Sequence, residues 1–255
     1  MGSIYHSGFT IIETMLFLAI TGVLVVAILA GSGAAINNQR YQDSVTNLKT
    51  TLQDEYSQVA NVNNPTPPSQ LSCASVTGDP STPSEPRGEG SCVIMGRFIS
   101  IVGTTITASS VVGYNSKDES FYANKTDIQE LQDYTLALIP STTTNNEIEW
   151  GSQIAWPKSG ADAKSPTTPR TISILIIRSP KSGLTYTFTG DSASTNVSAL
   201  IVAGNSIPGQ SQRRICVDPN GLAVAGGLAV FIDAYAAGPT AIEIRTNDMG
   251  DNATC

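Results

Sequence analysis

Hydrophobic positions fall into three regimes along the chain. From Phe9 to Gly31 apolar residues run almost without a break, and Glu13 is the only ionisable side chain among them. As a helix these 23 residues would measure about 34 Å, enough to cross a hydrocarbon core of roughly 30 Å. Beyond Ala34 the period changes. Tyr41, Val45, Leu48, Leu52, Tyr56 and Val59 recur at spacings of three and four, with Gln42, Asp43, Asn47 and Lys49 between them. That pattern predicts an amphipathic helix with one face built to be covered. Asn61, Asn63, Asn64 and Pro65 carry the chemistry that ends it. A single helix over residues 10 to 62 would be roughly 80 Å long. Gly22, Gly31 and Gly33 weaken it locally, each by about 1 kcal/mol relative to alanine.

The third regime begins at Cys92, where short β-branched runs alternate with turn residues. Strands are expected at 92–102, 105–114, 133–139, 147–156, 170–179, 184–190, 197–204, 213–218 and 240–246. Gly103-Thr104 suits a tight hairpin between the first two. Residues 222–238 read either way, since their alanines allow helix while Gly226-Gly227 break it. Two Pro-, Ser- and Gly-rich stretches, 61–91 and 156–170, read as exposed loops. An antiparallel sheet with one apolar face needs a cover, and the stripe from Tyr41 to Val59 is the helix face on offer. The expected fold is therefore α+β: a long N-terminal helix, apolar over 9–33 and amphipathic over 34–62, a loop over 63–91, and a β-rich head over 92–255 that packs on the distal half of the helix.

Composition narrows the functional classes. Net charge is −7 and the only adjacent basic pair is Arg213-Arg214, so no cationic stripe suits a nucleic-acid backbone. The one histidine, His6, precedes the apolar run. Without residues 1–8 the chain holds no histidine, which removes Ser-His-Asp and Cys-His catalysis and any His-ligated metal. No catalytic residue, metal ligand or cofactor motif is expected. Asp218-Pro-Asn-Gly221, Asp248-Met-Gly-Asp251 and Asp118-Glu119 are acidic, yet none follows EF-hand spacing and turn chemistry explains them. The four cysteines are Cys73, Cys92, Cys216 and Cys255, with no C-x-x-C pair. Beyond a membrane segment an even count favours disulfides over buried thiols. Proximity prefers Cys73 with Cys92 and Cys216 with Cys255 among three connectivities.

Glu13 then raises a question of charge. Deep in lipid and unpaired, a carboxylate costs about 2 to 3 kcal/mol, and neither Lys nor Arg lies near it. If the chain were cut between Gly8 and Phe9, the new amine would lie at the depth of the acid. Four residues separate the two by about 6 Å of helix axis, so an identical neighbour shifted by that rise brings its amine level with this carboxylate. A secretory signal peptide fits less well, because residues 1–8 lack a cation and the apolar run is long.

Gly8-Phe9-Thr-Ile-Ile-Glu13 followed by an apolar helix resembles the class III leader and N-terminal helix of type IV prepilins and the related pseudopilins. The resemblance covers about the first 55 residues. It implies that a prepilin peptidase removes residues 1–8 by cutting after Gly8 and methylates the Phe9 amine. It also implies that Glu13 guides assembly of a helical homo-oligomeric filament by the pilus machinery. The protein would reside in the inner membrane before assembly and in an extracellular pilus (fimbrium) after it, serving adhesion, motility or DNA uptake through an unidentified surface ligand. The chain departs from the family's habit in its leader, which holds only His6, and the nearest cation beyond the span is Arg40. Within the same superfamily a minor pilin or secretion pseudopilin is the alternative; outside it, a solitary membrane-anchored binding protein, and third an exported enzyme.

Overall fold

Helix α1 spans Ile11–Ala60, 50 residues and about 75 Å in a computed structural model. The structure describes residues 10–61, 92–115, 117, 119–158, 170–193, 196–202, 212–222, 224, 226–234, 236–246 and 255. Thr10 caps α1 by accepting the Glu13 backbone N–H at 3.3 Å, and at the other end the Asn61 N–H donates to the Ser57 carbonyl at 2.9 Å. Gly22, Gly31 and Gly33 do not interrupt the helix. Its propagating hydrogen bonds carry it across isolated glycines. Every residue of the expected stripe, Tyr41, Val45, Leu48, Leu52, Tyr56 and Val59, is buried.

Two antiparallel sheets close on that stripe. The first contains β1 (Cys92–Val102), β2 (Thr105–Tyr114), β3 (Thr135–Glu147), β5 (Thr171–Arg178) and β6 (Thr185–Gly190), in the order β3-β2-β1-β5-β6. The second contains β4 (Gln153–Ala155), β7 (Arg213–Asp218), β8 (Leu228–Ile232) and β9 (Ile242–Thr246), in the order β4-β7-β8-β9. β1 and β2 join through Gly103-Thr104 as expected, with Gly103 at φ +59°, a left-handed turn conformation that glycine adopts without strain. Gly96 sits where the β1–β2 register shifts, and a Cβ there would lie 2.0 Å from the Ile176 carbonyl oxygen, so only hydrogen fits.

Strand alternation sorts the core. Ile99, Ile101, Ile106, Ile172, Ile174 and Ile176 of the first sheet meet Ile215, Val217, Val230 and Ile232 of the second and the α1 stripe in one cluster. The opposite side of the first sheet presents Phe98, Val111, Leu175, Ile177 and Phe188. It is covered by two short helices, α3 (Asp127–Asp133) through Leu131 and α4 (Val197–Val202) through Val197, Leu200 and Ile201. The central strands β1 and β5 of the first sheet are thus buried on both faces.

Several local expectations change here. Residues 197–202 are helix rather than strand: a short apolar run does not declare its period, and Val197, Leu200 and Ile201 lie at i, i+3 and i+4, the spacing that covers a sheet. The expected strand 147–156 is broken by a 3-10 turn at Glu149–Gly151, where Trp150 sits at φ +57°, leaving only β4. The strand expected at 240–246 starts at Ile242 after another such turn, Pro239–Ala241. That at 133–139 begins at Thr135 and extends to Glu147, because Asp133 belongs to α3. In the ambiguous 222–238 segment, β8 occupies Leu228–Ile232. Glu119 opens α2 (Glu119–Tyr122) instead of lying in a loop. The loops expected over 61–91 and 156–170 fall mostly outside the described residues, as do Asp118, Asp248 and Asp251.

Cys216 and Cys255 form a disulfide with a Cα–Cα distance of 5.4 Å, closing a sequence separation of 39 on the outer face of the second sheet beside Ala229 and Phe231. The pairing expected between Cys73 and Cys92 involves Cys73, which lies outside the described residues. At Asp218-Pro-Asn-Gly221 the carboxylate accepts the Asn220 N–H at 2.7 Å, with Asn220 and Gly221 at φ +49° and +92°, a side-chain-capped turn.

Candidate functional site

The long helix divides at Tyr41 into an exposed half and a gripped half, and this division is the feature of the fold with a functional reading. From Ile11 to Ile36 only Thr21 is even partly shielded. The stretch includes Ile11, Ile12, Met15, Leu16, Phe17, Leu18, Val23, Val26 and Ile28, all strongly exposed. Its hydroxyls turn back on the helix itself: Thr14 donates to Ile11 O at 2.9 Å, Thr21 to Phe17 O at 2.9 Å and Ser32 to Leu29 O at 3.0 Å. With its own polar groups satisfied, the rod can enter an apolar medium without orphaned donors. It is the helix among the described residues long and apolar enough to cross a membrane.

Glu13 is the exception on this surface. It stands at the third helical position, where its backbone N–H meets the Thr10 cap and its carboxylate lies at the positive end of the helix dipole. Thr10-x-x-Glu13 is a capping pattern legible in the chain, a local role separate from the carboxylate's cost in lipid. Gly8 and Phe9 lie outside the described residues.

The gripped half is bound by polar bridges as well as by the apolar stripe. The Tyr41 hydroxyl donates to Val217 O at 2.7 Å and accepts the Leu228 N–H at 2.7 Å, inserted at the end of the β7–β8 ladder. Tyr56 shares a 2.7 Å hydrogen bond with the Thr187 hydroxyl, which itself donates to Ala236 O at 2.7 Å. Burial pushes both phenols above their ordinary range. Ser44 meets Ser152 at 3.0 Å, and the Gln53 amide donates to Pro239 O at 3.0 Å.

The strongest tie is ionic. Glu55 of α1 accepts two hydrogen bonds from Arg97 of β1, Nε to Oε2 at 2.6 Å and Nη2 to Oε1 at 3.3 Å, while Arg97 Nη1 donates to Ser110 Oγ at 2.9 Å. The two residues are 4% and 7% exposed. No hydropathy pattern announced this pair. A glutamate on the buried side of the stripe, four residues before Val59 and three after Leu52, was the available signal. At the neck, the Arg40 guanidinium lies 4.8 Å from the centre of the Trp150 ring, and the Asn47 amide donates to Glu149 at 3.3 Å.

The head is fixed to the 41–59 half of α1 by a core cluster, a buried ion pair and backbone-directed hydroxyls. Comparison with protein-family models, curated proteins and solved structures finds no match to this chain.

Proposed function

We propose that the chain is a structural subunit of an extracellular filament of the type IV pilin kind, held in a membrane by the apolar half of α1 before assembly and bundled with copies of that helix afterwards. The observation that carries this reading is the continuity of one helix through two environments: 11–36 exposed and apolar, 41–59 sealed under the head. A solitary anchor needs only the first property. A filament core needs the two joined rigidly, so that packing of rods sets the position of heads. Lipid tails and neighbouring helices are equally apolar, so little hydrophobic gain accompanies the exchange, and side-chain packing and charge pairing decide it. Glu13, the one charge on the rod, is the group through which a neighbour's Phe9 amine, freed by removal of 1–8, would set the stagger.

Intact mass and N-terminal sequencing of the native protein test the reading together with Glu13→Ala. A mature chain starting at methylated Phe9, and a Glu13→Ala variant that inserts in the membrane but forms few filaments, are the expected results. A native protein that begins at Met1 and stays monomeric in detergent would refute it and favour a solitary anchored binding protein.

A further inference from the structure

On the side of the first sheet away from α1, the end of β2, helices α2 and α3 and the β5–β6 turn border a half-open pocket of about 710 Å³, within the size range of small-molecule sites. Its position is set locally. A reciprocal cap fixes the start of α3: Thr126 Oγ1 accepts the Gln129 N–H at 3.3 Å and Gln129 Oε1 accepts the Thr126 N–H at 2.9 Å. Lys181 from the β5–β6 turn ties α2 down by donating to Tyr122 O at 3.0 Å and Lys125 O at 2.9 Å.

The polar groups of this cavity are incompletely matched. Glu130 lines it and is only 6% exposed, yet its Oε2 has no hydrogen-bond partner among the described residues. A buried carboxylate oxygen without a donor costs free energy that a ligand donor would recover. Across the cavity, Asn115 Oδ1 accepts the Lys117 N–H at 2.8 Å and the Tyr122 hydroxyl at 2.7 Å. Those two donors fix the amide's orientation; of the two N–H groups of its NH2 one meets the Tyr134 hydroxyl, and the other is the donor a ligand would use. Tyr122 and Tyr134 supply ring surface to the same wall.

An acceptor and a donor in one aromatic-walled cavity select among ligand chemistries. An ammonium offers only donors and would leave the Asn115 N–H without an acceptor. An anion offers only acceptors and would meet Glu130 with Asp127 and Asp133 acting beside it. A hydroxyl both accepts from an amide and donates to a carboxylate, and a ring bearing several hydroxyls presents an apolar C–H face to tyrosine. We propose that this cavity binds a neutral sugar residue, with Glu130 and Asn115 bonding its hydroxyls and Tyr122 and Tyr134 packing against its ring. The proposal is independent of filament assembly, since it concerns the face of the head opposite α1.

Saturation-transfer NMR on the full chain in detergent micelles, with the methyl glycosides of galactose, mannose and N-acetylglucosamine as probes, tests it. Inorganic phosphate and ethylammonium serve as charged competitors. Saturable transfer to at least one glycoside, undisturbed by either ion, is expected. Ala123→Trp, a change at an exposed position on the cavity rim, should abolish transfer. Glu130→Gln should weaken binding about tenfold, the difference between a charge-assisted and a neutral hydrogen bond, with no fall in melting temperature. Absence of transfer from all three glycosides, indifference to either variant, or displacement by phosphate or ethylammonium overturns the proposal.

Discussion

Removing the Glu55 carboxylate tests how the head is held to its helix. In Glu55→Ala, Arg97 keeps its position between α1 and the first sheet but retains only the 2.9 Å bond to Ser110 of its three side-chain hydrogen bonds described above. At 7% exposure the guanidinium has little water to replace the missing carboxylate. Stranding one partner of a buried pair costs about 3–5 kcal/mol. For a chain of this size each kcal/mol lowers the melting temperature by about 2–4 °C, so a fall of roughly 6–20 °C is expected. Replacing both partners by apolar residues of similar volume, Glu55→Leu with Arg97→Met, should recover most of that loss, because both desolvation costs disappear with the charges. Thermal unfolding of the full chain followed by circular dichroism, with disulfides intact, completes the cycle with Glu55→Leu alone and Arg97→Met alone. A Glu55→Ala melting temperature within about 3 °C of the parent, or a double variant as unstable as the sum of the singles, would refute the argument.

Tyr41→Phe removes the hydroxyl that joins Val217 O and the Leu228 N–H, and should cost about 2 kcal/mol in denaturant unfolding while speeding exchange of the Leu228 amide. Cys216→Ser with Cys255→Ser opens a separation of 39 residues and should cost about 4 kcal/mol by the loop-entropy relation, read as a shift in the denaturant midpoint. Burial raises the Glu130 carboxyl above its ordinary 4.5, with the nearby Asp127 and Asp133 adding to the shift and Lys181 opposing it. The folded state therefore holds that proton more tightly than the unfolded one. Its stabilising effect is complete below pH 4.5 and is lost as pH rises through the folded value, and Glu130→Gln should flatten the stability profile in that window. Asp127 behaves oppositely: burial pushes it up, but hydrogen bonds from Ser182, Tyr186 and Ser179 with the Lys181 charge outweigh that and hold it low. Its contribution is present above the ordinary value and fades as acid passes the folded one, so Asp127→Asn should blunt the loss of stability in strong acid.

Features set by neighbours in sequence were legible from the chain. The buried face of α1 follows from apolar residues at helical period, and the β1–β2 hairpin from Gly103-Thr104 between β-branched runs. The exposed apolar rod and the isolated acid at Glu13 follow in the same way. In each case backbone sterics and side-chain period act within a few residues. The reciprocal cap at Thr126 and Gln129 is equally local, and its Thr-x-x-Gln spacing is a helix-start pattern that marks α3 in the chain itself.

Contacts distant in sequence decided the rest. Residues 197–202 become helix because the far face of the first sheet needs cover at Phe98, Leu175 and Phe188. The split into two sheets, and the cavity where Asn115, Glu130 and Lys181 converge, depend equally on packing between separated segments. Glu55 finds Arg97 across 42 positions of sequence. The chain by itself specified where apolar surface lies and with what period. Tertiary structure alone determined which surfaces meet, because burial is shared between segments and a charge or a short apolar run acquires its role from the partner that covers it.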